Sequence, residues 1–319
     1  METAWGLLLH LGFNMWCDRD APEWPVPHIA ARPYMRFDDA LYAELTAAMP
    51  AAGVNMLVLD LGEGVRWESR PEIGVKGAWP VDRVRAEVRR LRELGIEAIP
   101  KLNFSTSHDA WLGPYSRCVS TPPYYAACEA LIREAIDLFD TPRLFHLGMD
   151  EESFDHQAHY AFAQVRQHEL WWEDLGRLIG WVEAGGSRPW VWSDYAWRNP
   201  AAFYARMPRT VVQSNWYYEP QFHAGRNPAD RGPLTYDRAY LAYNDLAAEG
   251  YEQLPTGSNH SSDTNFAATV EYADAIPPAG LIGFLHAPWR PTLPENRERL
   301  LEAIAQIGAA RRAREGRAG

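Results

Sequence analysis

The stretch "RLFHLGMDEE", residues 143–152, runs from apolar residues directly into three carboxylates, Asp150, Glu151 and Glu152. Burying an unpaired charge costs several kcal/mol, so a strand that stops on acids either emerges into water or delivers them to a site. Two adjacent carboxylates resist simultaneous ionisation, and the less solvated one keeps its proton. One acid and one anion beside aromatic rings suit glycosidic bond cleavage, which needs a proton for the leaving oxygen and stabilisation of a cationic sugar ring. Sequence neighbours do not suit the ordinary arrangement of two acids flanking the bond about 5–9.5 Å apart. They fit substrate assistance better. There the sugar's own 2-acetamido oxygen attacks the anomeric carbon, Asp150 orients it and stabilises the oxazolinium, and Glu151 serves as acid and then base.

Such a pair needs a scaffold, and the chain repeats one alternation eight times: a short apolar run, a polar loop, an amphipathic stretch. The runs are "WGLLLHLGFNM", "VNMLVLDLG", "IEAIPKLNF", "RLFHLGMD", "RPWVWSDY", "TVVQSNWYY", "YEQLPTGSN" (the weakest) and "LIGFLHAPW". In "PVDRVRAEVRRLRELG" the residues Val81, Val84, Val88, Leu91 and Leu94 recur at the spacing of one helix face, and Gly95 stops it. Two further stretches, "YYAACEALIREAIDLFD" and "ENRERLLEAIAQIG", share that period. The expectation is an α/β fold, a (β/α)8 TIM barrel forming a single domain over 1–319, with long strand-to-helix loops at 17–37 and 61–80 on the catalytic face. A doubly wound open sheet is the rival, but no glycine-rich phosphate loop follows any run.

Successive strand side chains point to opposite faces. Taking every second residue brings His146 and Asp150 to the barrel axis, with His10, Asn14 and Trp16 from the first run and Asp60 from the second. Lys101 and Asn103 come from the third run, and Trp190, Trp192 and Asp194 from the fifth. The sixth supplies either Asn215 with Tyr217 or Trp216 with Tyr218, and the eighth carries His286 and Trp289. Lys101 beside Asp60 is equally consistent with a buried pair that only fixes the barrel, and His28 and His156 read as loop surface. Polar and Trp residues ending so many runs together is the pattern of a barrel mouth.

"FHLGMDEE" resembles the HxGGDE motif of glycoside hydrolase family 20, the β-N-acetylhexosaminidases. His146, Gly148, Asp150 and Glu151 match it, and Met149 replaces the second glycine. The resemblance implies a (β/α)8 barrel with the motif ending the fourth strand, His108 of "NFSTSHDAW" as the loop histidine after the third, and an acetamido pocket walled by Trp192, Trp289 and either Trp216 or Tyr217. The chain departs from that pattern in several places. It has His10, Asn14 and Trp16 where an Arg usually grips the sugar hydroxyls, and "HAPWRPT" lacks the usual late acid. It also shows no counterpart of the small N-terminal α/β domain.

A formal charge of −11 argues against general nucleic-acid binding, and the basic tail "RRAREGRAG" reads as a frayed, solvated end. No apolar run is long enough for a membrane span. Three scattered cysteines and the lack of a recognisable leader make a cytoplasmic location the expectation, with export of a longer precursor left open. The expected partner is a carbohydrate substrate, with no cofactor and no metal. A metal-dependent barrel using His10, His146, Asp150 and His286 and a non-catalytic sugar-binding barrel are the other readings. Oligomeric state, linkage and exo or endo action are not legible.

Overall fold

All eight apolar runs form strands: Ala4–His10, Met56–Asp60, Glu97–Lys101, Leu144–His146, Arg188–Trp192, Val212–Ser214, Thr256–Gly257 and Gly283–His286. The computed structural model describes residues 2–220, 222, 236–274, 276–277 and 280–318. The strands pair in parallel in chain order, the eighth lying between the first and the seventh. Bridges Gln213–Gln253 and Trp216–Thr256 join the sixth strand to the seventh and close the ring. This is the expected (β/α)8 barrel; the weakest run, the seventh, makes one of the shortest strands.

Alternation along each strand builds two cores. Leu7, Leu9, Leu57, Leu59, Phe145, Leu147 and Phe284 pack outward among the helices. Leu8, Met56, Val58, Ile99, Leu144, Trp190, Val212 and Leu285 fill the axis. Above that plug the register sets His10 opposite Asp60, Asp60 opposite Lys101, Lys101 opposite His146 and His146 opposite Trp190. One polar layer therefore crosses neighbouring strands at a single height, just below their C-terminal ends, where barrel enzymes carry their chemistry.

The helices follow the sequence cues. Val81–Glu93 buries Val84, Val88 and Leu91 and gives way to Gly95 at φ 74°. Asp38 caps Asp39–Ala52 by accepting the Leu41 N–H at 2.7 Å. The second loop carries a small two-stranded sheet, Val65–Arg66 with Trp79–Pro80, and is tied to the first loop by a Tyr34–Lys76 bridge. The basic tail is not frayed. It belongs to the helix Arg297–Ala318, where Arg311 donates to the Gly53 carbonyl and Arg314 and Arg317 both pair with Asp274. Among the described residues no helix is long and apolar enough to cross a membrane.

Candidate active site

The fourth strand ends at His146, and the next residues turn sharply: Gly148, Met149 and Glu151 have φ of 72°, 77° and 53°. Non-glycine residues avoid this region, and such strain concentrates at functional sites. A Cβ on Gly148 would stand 2.0 Å from Asn103 Oδ1, so the glycine of the motif is needed for space as well as conformation. Met149 accepts the left-handed backbone and buries its side chain among the helices.

The three acids are sorted by this turn. Asp150 Oδ1 accepts from Asn103 Nδ2 at 2.8 Å, and Asn103 Oδ1 in turn accepts the Met149 and Ser105 N–H groups. Asp150 Oδ2 and Glu151 Oε2 lie 3.4 and 3.2 Å from the same atom, His108 Nε2. The other oxygen of Glu151 is 3.4 Å from His156 Nε2, and its N–H donates to Asp194 Oδ2 at 2.8 Å. Glu152 turns inward to a two-pronged ion pair with Arg166 at 2.7 and 2.8 Å, and Arg166 also reaches Asp174 at 3.0 Å. Asp150 and Glu151 thus share one corner, while Glu152 is part of the frame.

Electrostatics divide the protons unevenly. Burial would raise the Glu151 carboxyl, but contacts with His108 and His156 overrule it and hold the group well below the usual range. Burial would lower His108; the charges of Asp150 and Glu151 instead push it up to about 10. His156 is raised by Glu151. Asp194 is pushed up to about 7 by burial and by the neighbouring Asp150 charge, and its Oδ1 is buried with no hydrogen-bond partner. The expectation that Glu151 itself holds the proton is therefore corrected for the free site: two imidazoles flank it, and the raised carboxyl is Asp194.

A continuous aromatic wall stands beside the acids. Trp192 packs on His146 with centroids 4.4 Å apart and on Trp289 at 5.8 Å. Trp289 Nε1 donates to Tyr218 Oη at 2.9 Å, Tyr218 stacks on Trp216 at 5.1 Å, and Trp216 meets Trp197 at 4.5 Å. Trp16 closes the other side, edge-on to His108 at 6.3 Å. Below, Lys101 Nζ is 2.5 Å and His10 Nδ1 3.2 Å from Asp60 Oδ2. Burial would raise Asp60, but Lys101 and His10 bring it to about 2, the signature of a fixed ion pair under the floor.

Several expected site residues lie elsewhere or do other work. His286 points to the helix layer, against Phe266 and Gln306, because Leu285 and Ala287 take the inward positions. Tyr217 also faces outward, against Phe222 and Tyr240; Tyr218 is the inward tyrosine, sharing parity with Trp216. Asn14 is spent on the first loop, bonding the Arg32 backbone and accepting from Arg36. His156, expected at the loop surface, touches Glu151. Its signal was faint, a histidine five residues after the acid in a loop of unknown course. Arg166 and Glu63, which accepts the Phe13 and Asn14 N–H groups, carried no sequence signal. A cleft of about 630 Å3 in the first loop, lined by Trp24, His28, Arg32 and Tyr34 among others, includes neither acid. The titratable groups converge instead at the His108 corner.

The sequence matches no protein-family model and no curated protein. The fold is similar to solved β-N-acetylhexosaminidases of glycoside hydrolase family 20. An exo-β-N-acetylglucosaminidase from Vibrio harveyi, in complex with N-acetylglucosamine, superposes with TM-score 0.63 at 14% identity over 96% of this chain and 54% of that one. The β-N-acetylhexosaminidase from Bacteroides fragilis gives 0.64 at 13%, over 96% of this chain and 65% of that one. Dispersin B gives 0.60 at 14%, over 96% and 98%. This chain spans about half to just under two thirds of the first two and nearly all of dispersin B. At these identities the likeness establishes the barrel fold.

Proposed function

We propose that the chain is a retaining, substrate-assisted glycoside hydrolase acting on terminal N-acetylhexosamine-type sugars. The observation that carries the reading is the shared corner: Asp150 and Glu151, in the turn after the fourth strand, lie within 3.4 Å of one His108 nitrogen, beside the Trp192–Trp289–Tyr218 wall. Dispersin B and the hexosaminidases share its barrel.

In this mechanism the sugar stacks on the tryptophans and its acetamido group meets Asp150, whose Oδ2, the oxygen not held by Asn103, orients the amide N–H. The acetamido oxygen attacks the anomeric carbon as the glycosidic C–O bond breaks, and the leaving oxygen takes a proton from Glu151. That proton is drawn from the adjacent imidazoles, since Glu151 is ionised in the free site. The resulting oxazolinium is stabilised by the Asp150 charge. Glu151, again a carboxylate, takes a proton from water as the water opens the ring, which returns the anomeric configuration, and passes that proton back to the imidazole that supplied the first. Asn103 holds Asp150 and Asp194 holds the Glu151 backbone; both are positioning residues. No metal enters these steps.

One observation favours a second reading, a glycosidase-like barrel of different sugar specificity: at the first strand end, where the family grips sugar hydroxyls, His10 is paired to Asp60 and Asn14 to Arg36. A panel of aryl glycosides decides. Cleavage of an aryl N-acetylglucosaminide, at least about 100-fold slower in Glu151→Gln, supports the first reading. Efficient cleavage of sugars lacking the 2-acetamido group sinks it.

A further inference from the structure

The corner where His108 meets the two acids has the spacing of a cation site. The His108 side chain is buried, and its Nε2 lies between Asp150 Oδ2 at 3.4 Å and Glu151 Oε2 at 3.2 Å, two ion-pair contacts whose shared proton a cation would have to displace. Two ligands each about 2.0–2.2 Å from a tetrahedral zinc stand about 3.3–3.5 Å apart, whereas a direct N–H···O bond would bring the atoms to about 2.9 Å. The remaining spacing, between the carboxylates, lies within 4.8 Å. The frame is already fixed: Asn103 holds Asp150 and Asp194 holds the Glu151 N–H. The Glu151 side chain is 28% exposed, which leaves a fourth coordination position open toward the mouth. Three protein ligands with an open fourth position make an accessible site, not a closed structural one. An imidazole with two carboxylates suits zinc and similar transition ions better than calcium or magnesium, which prefer all-oxygen shells.

We infer that His108, Asp150 and Glu151 bind one divalent transition cation, zinc matching best, and that this ion competes with the sugar for the two acids. The ion is a reversible inhibitor and not a cofactor. The inhibition rests on the hydrolase reading; the binding does not.

The test titrates zinc sulfate into the full chain in a non-chelating buffer and reads heat by calorimetry. One site per chain with a dissociation constant of about micromolar strength is expected, weakened about tenfold or more in both His108→Asn and Asp150→Asn, with calcium chloride giving no comparable heat. Circular dichroism checks that each variant is folded. Should His108→Asn not fold, Asp150→Asn alone and displacement of zinc by an N-acetylglucosamine-derived thiazoline decide. No binding to the wild type, or equal binding in the folded variants, overturns the site and places any zinc on surface histidines. In hydrolysis of an aryl N-acetylglucosaminide, zinc raises the apparent KM at constant kcat, and EDTA reverses it. A chain that hydrolyses this substrate but binds no zinc refutes the cation site alone. A chain that binds zinc through these residues but hydrolyses no N-acetylhexosaminide refutes the hydrolase reading alone.

Discussion

Gly148 is the tightest point of the site, and adding one methyl group there tests the geometry. In Gly148→Ala the new Cβ would lie 2.0 Å from Asn103 Oδ1, 2.2 Å from its Cγ and 2.7 Å from its Cα. The last of these is backbone, so the side chain cannot simply swing aside. Gly95 provides the control. Its φ of 74° nearly equals the 72° of Gly148, yet a Cβ there meets nothing within 4 Å. Both alanines bear the same left-handed backbone cost of about 1–2 kcal/mol, and it cancels in the comparison. What remains at Gly148 is overpacking of about 1–3 kcal/mol and loss of the charge-assisted Asn103–Asp150 hydrogen bond, about 1.5–3 kcal/mol. Gly148→Ala should therefore be about 2.5–6 kcal/mol less stable than Gly95→Ala in urea unfolding. Whatever folds should also lose hydrolysis of an aryl N-acetylglucosaminide, because Asp150 has lost its anchor, while Gly95→Ala keeps wild-type turnover. Equal stability of the two variants would refute the packing described for the strand end.

Four further outcomes are expected. Glu152→Gln leaves Arg166 short of its main partner in a buried network and should cost about 3–5 kcal/mol of stability, whereas Glu151→Gln leaves that network intact and should act chiefly on turnover; thermal melts and rates on the same two proteins separate the roles. His156→Asn removes one of the two imidazoles holding the Glu151 carboxyl down, so that carboxyl rises and the limb of the kcat/KM pH profile assigned to it moves to higher pH; an unmoved profile would show that His156 does not touch the working acid. Asp194, raised in the fold to about 7, binds its proton more tightly folded than unfolded. Its contribution to stability is fully present below about pH 4 and is lost as pH rises to about 7. Asp194→Asn, whose amide oxygen still accepts the Glu151 N–H, should therefore gain thermal stability relative to wild type at pH 8 and not at pH 4. Met149→Gly restores the glycine of the HxGGDE pattern and relieves about 1–3 kcal/mol of backbone strain, but it removes a 1%-exposed side chain worth about 2–5 kcal/mol, so urea unfolding should find it less stable.

The sequence made the strands legible because each is an apolar run closed by a polar or glycine turn, and a period of eight such runs has few folds to choose from. Side-chain facing was legible wherever parity was followed strictly. In the fourth strand it placed Asp150 inward and Met149 outward, as found. It failed where parity was relaxed for the sake of polar residues: His286 and Trp289 differ by an odd number and cannot share a face of a regular strand, whereas the sixth run, left open between two facings, takes the one that pairs Trp216 with Tyr218. Contacts made between loops had no periodic signal at all. Nothing in the spacing of His156, Glu63 or Arg36 shows that they meet the first and fourth strand ends, since loop paths are set by tertiary packing.

Asp150, Glu151 and Glu152 differ little in intrinsic acidity, and their separate roles come from the backbone between them. A continued strand would have sent Asp150 and Glu152 to the axis together, placing two like charges side by side in a buried layer that already holds Asp60. The positive φ at Gly148, Met149 and Glu151 breaks that alternation. It leaves Asp150 over the axis, lifts Glu151 beside it to share His108, and turns Glu152 down to Arg166, the cation that its burial requires. Left-handed strain of about 1–3 kcal/mol per non-glycine residue is sustained because Met149 is packed among the helices and the Glu151 N–H is held by Asp194. The second glycine of the motif can therefore be absent from this chain without loss of the turn: burial of the methionine side chain offsets what glycine would have provided through backbone freedom.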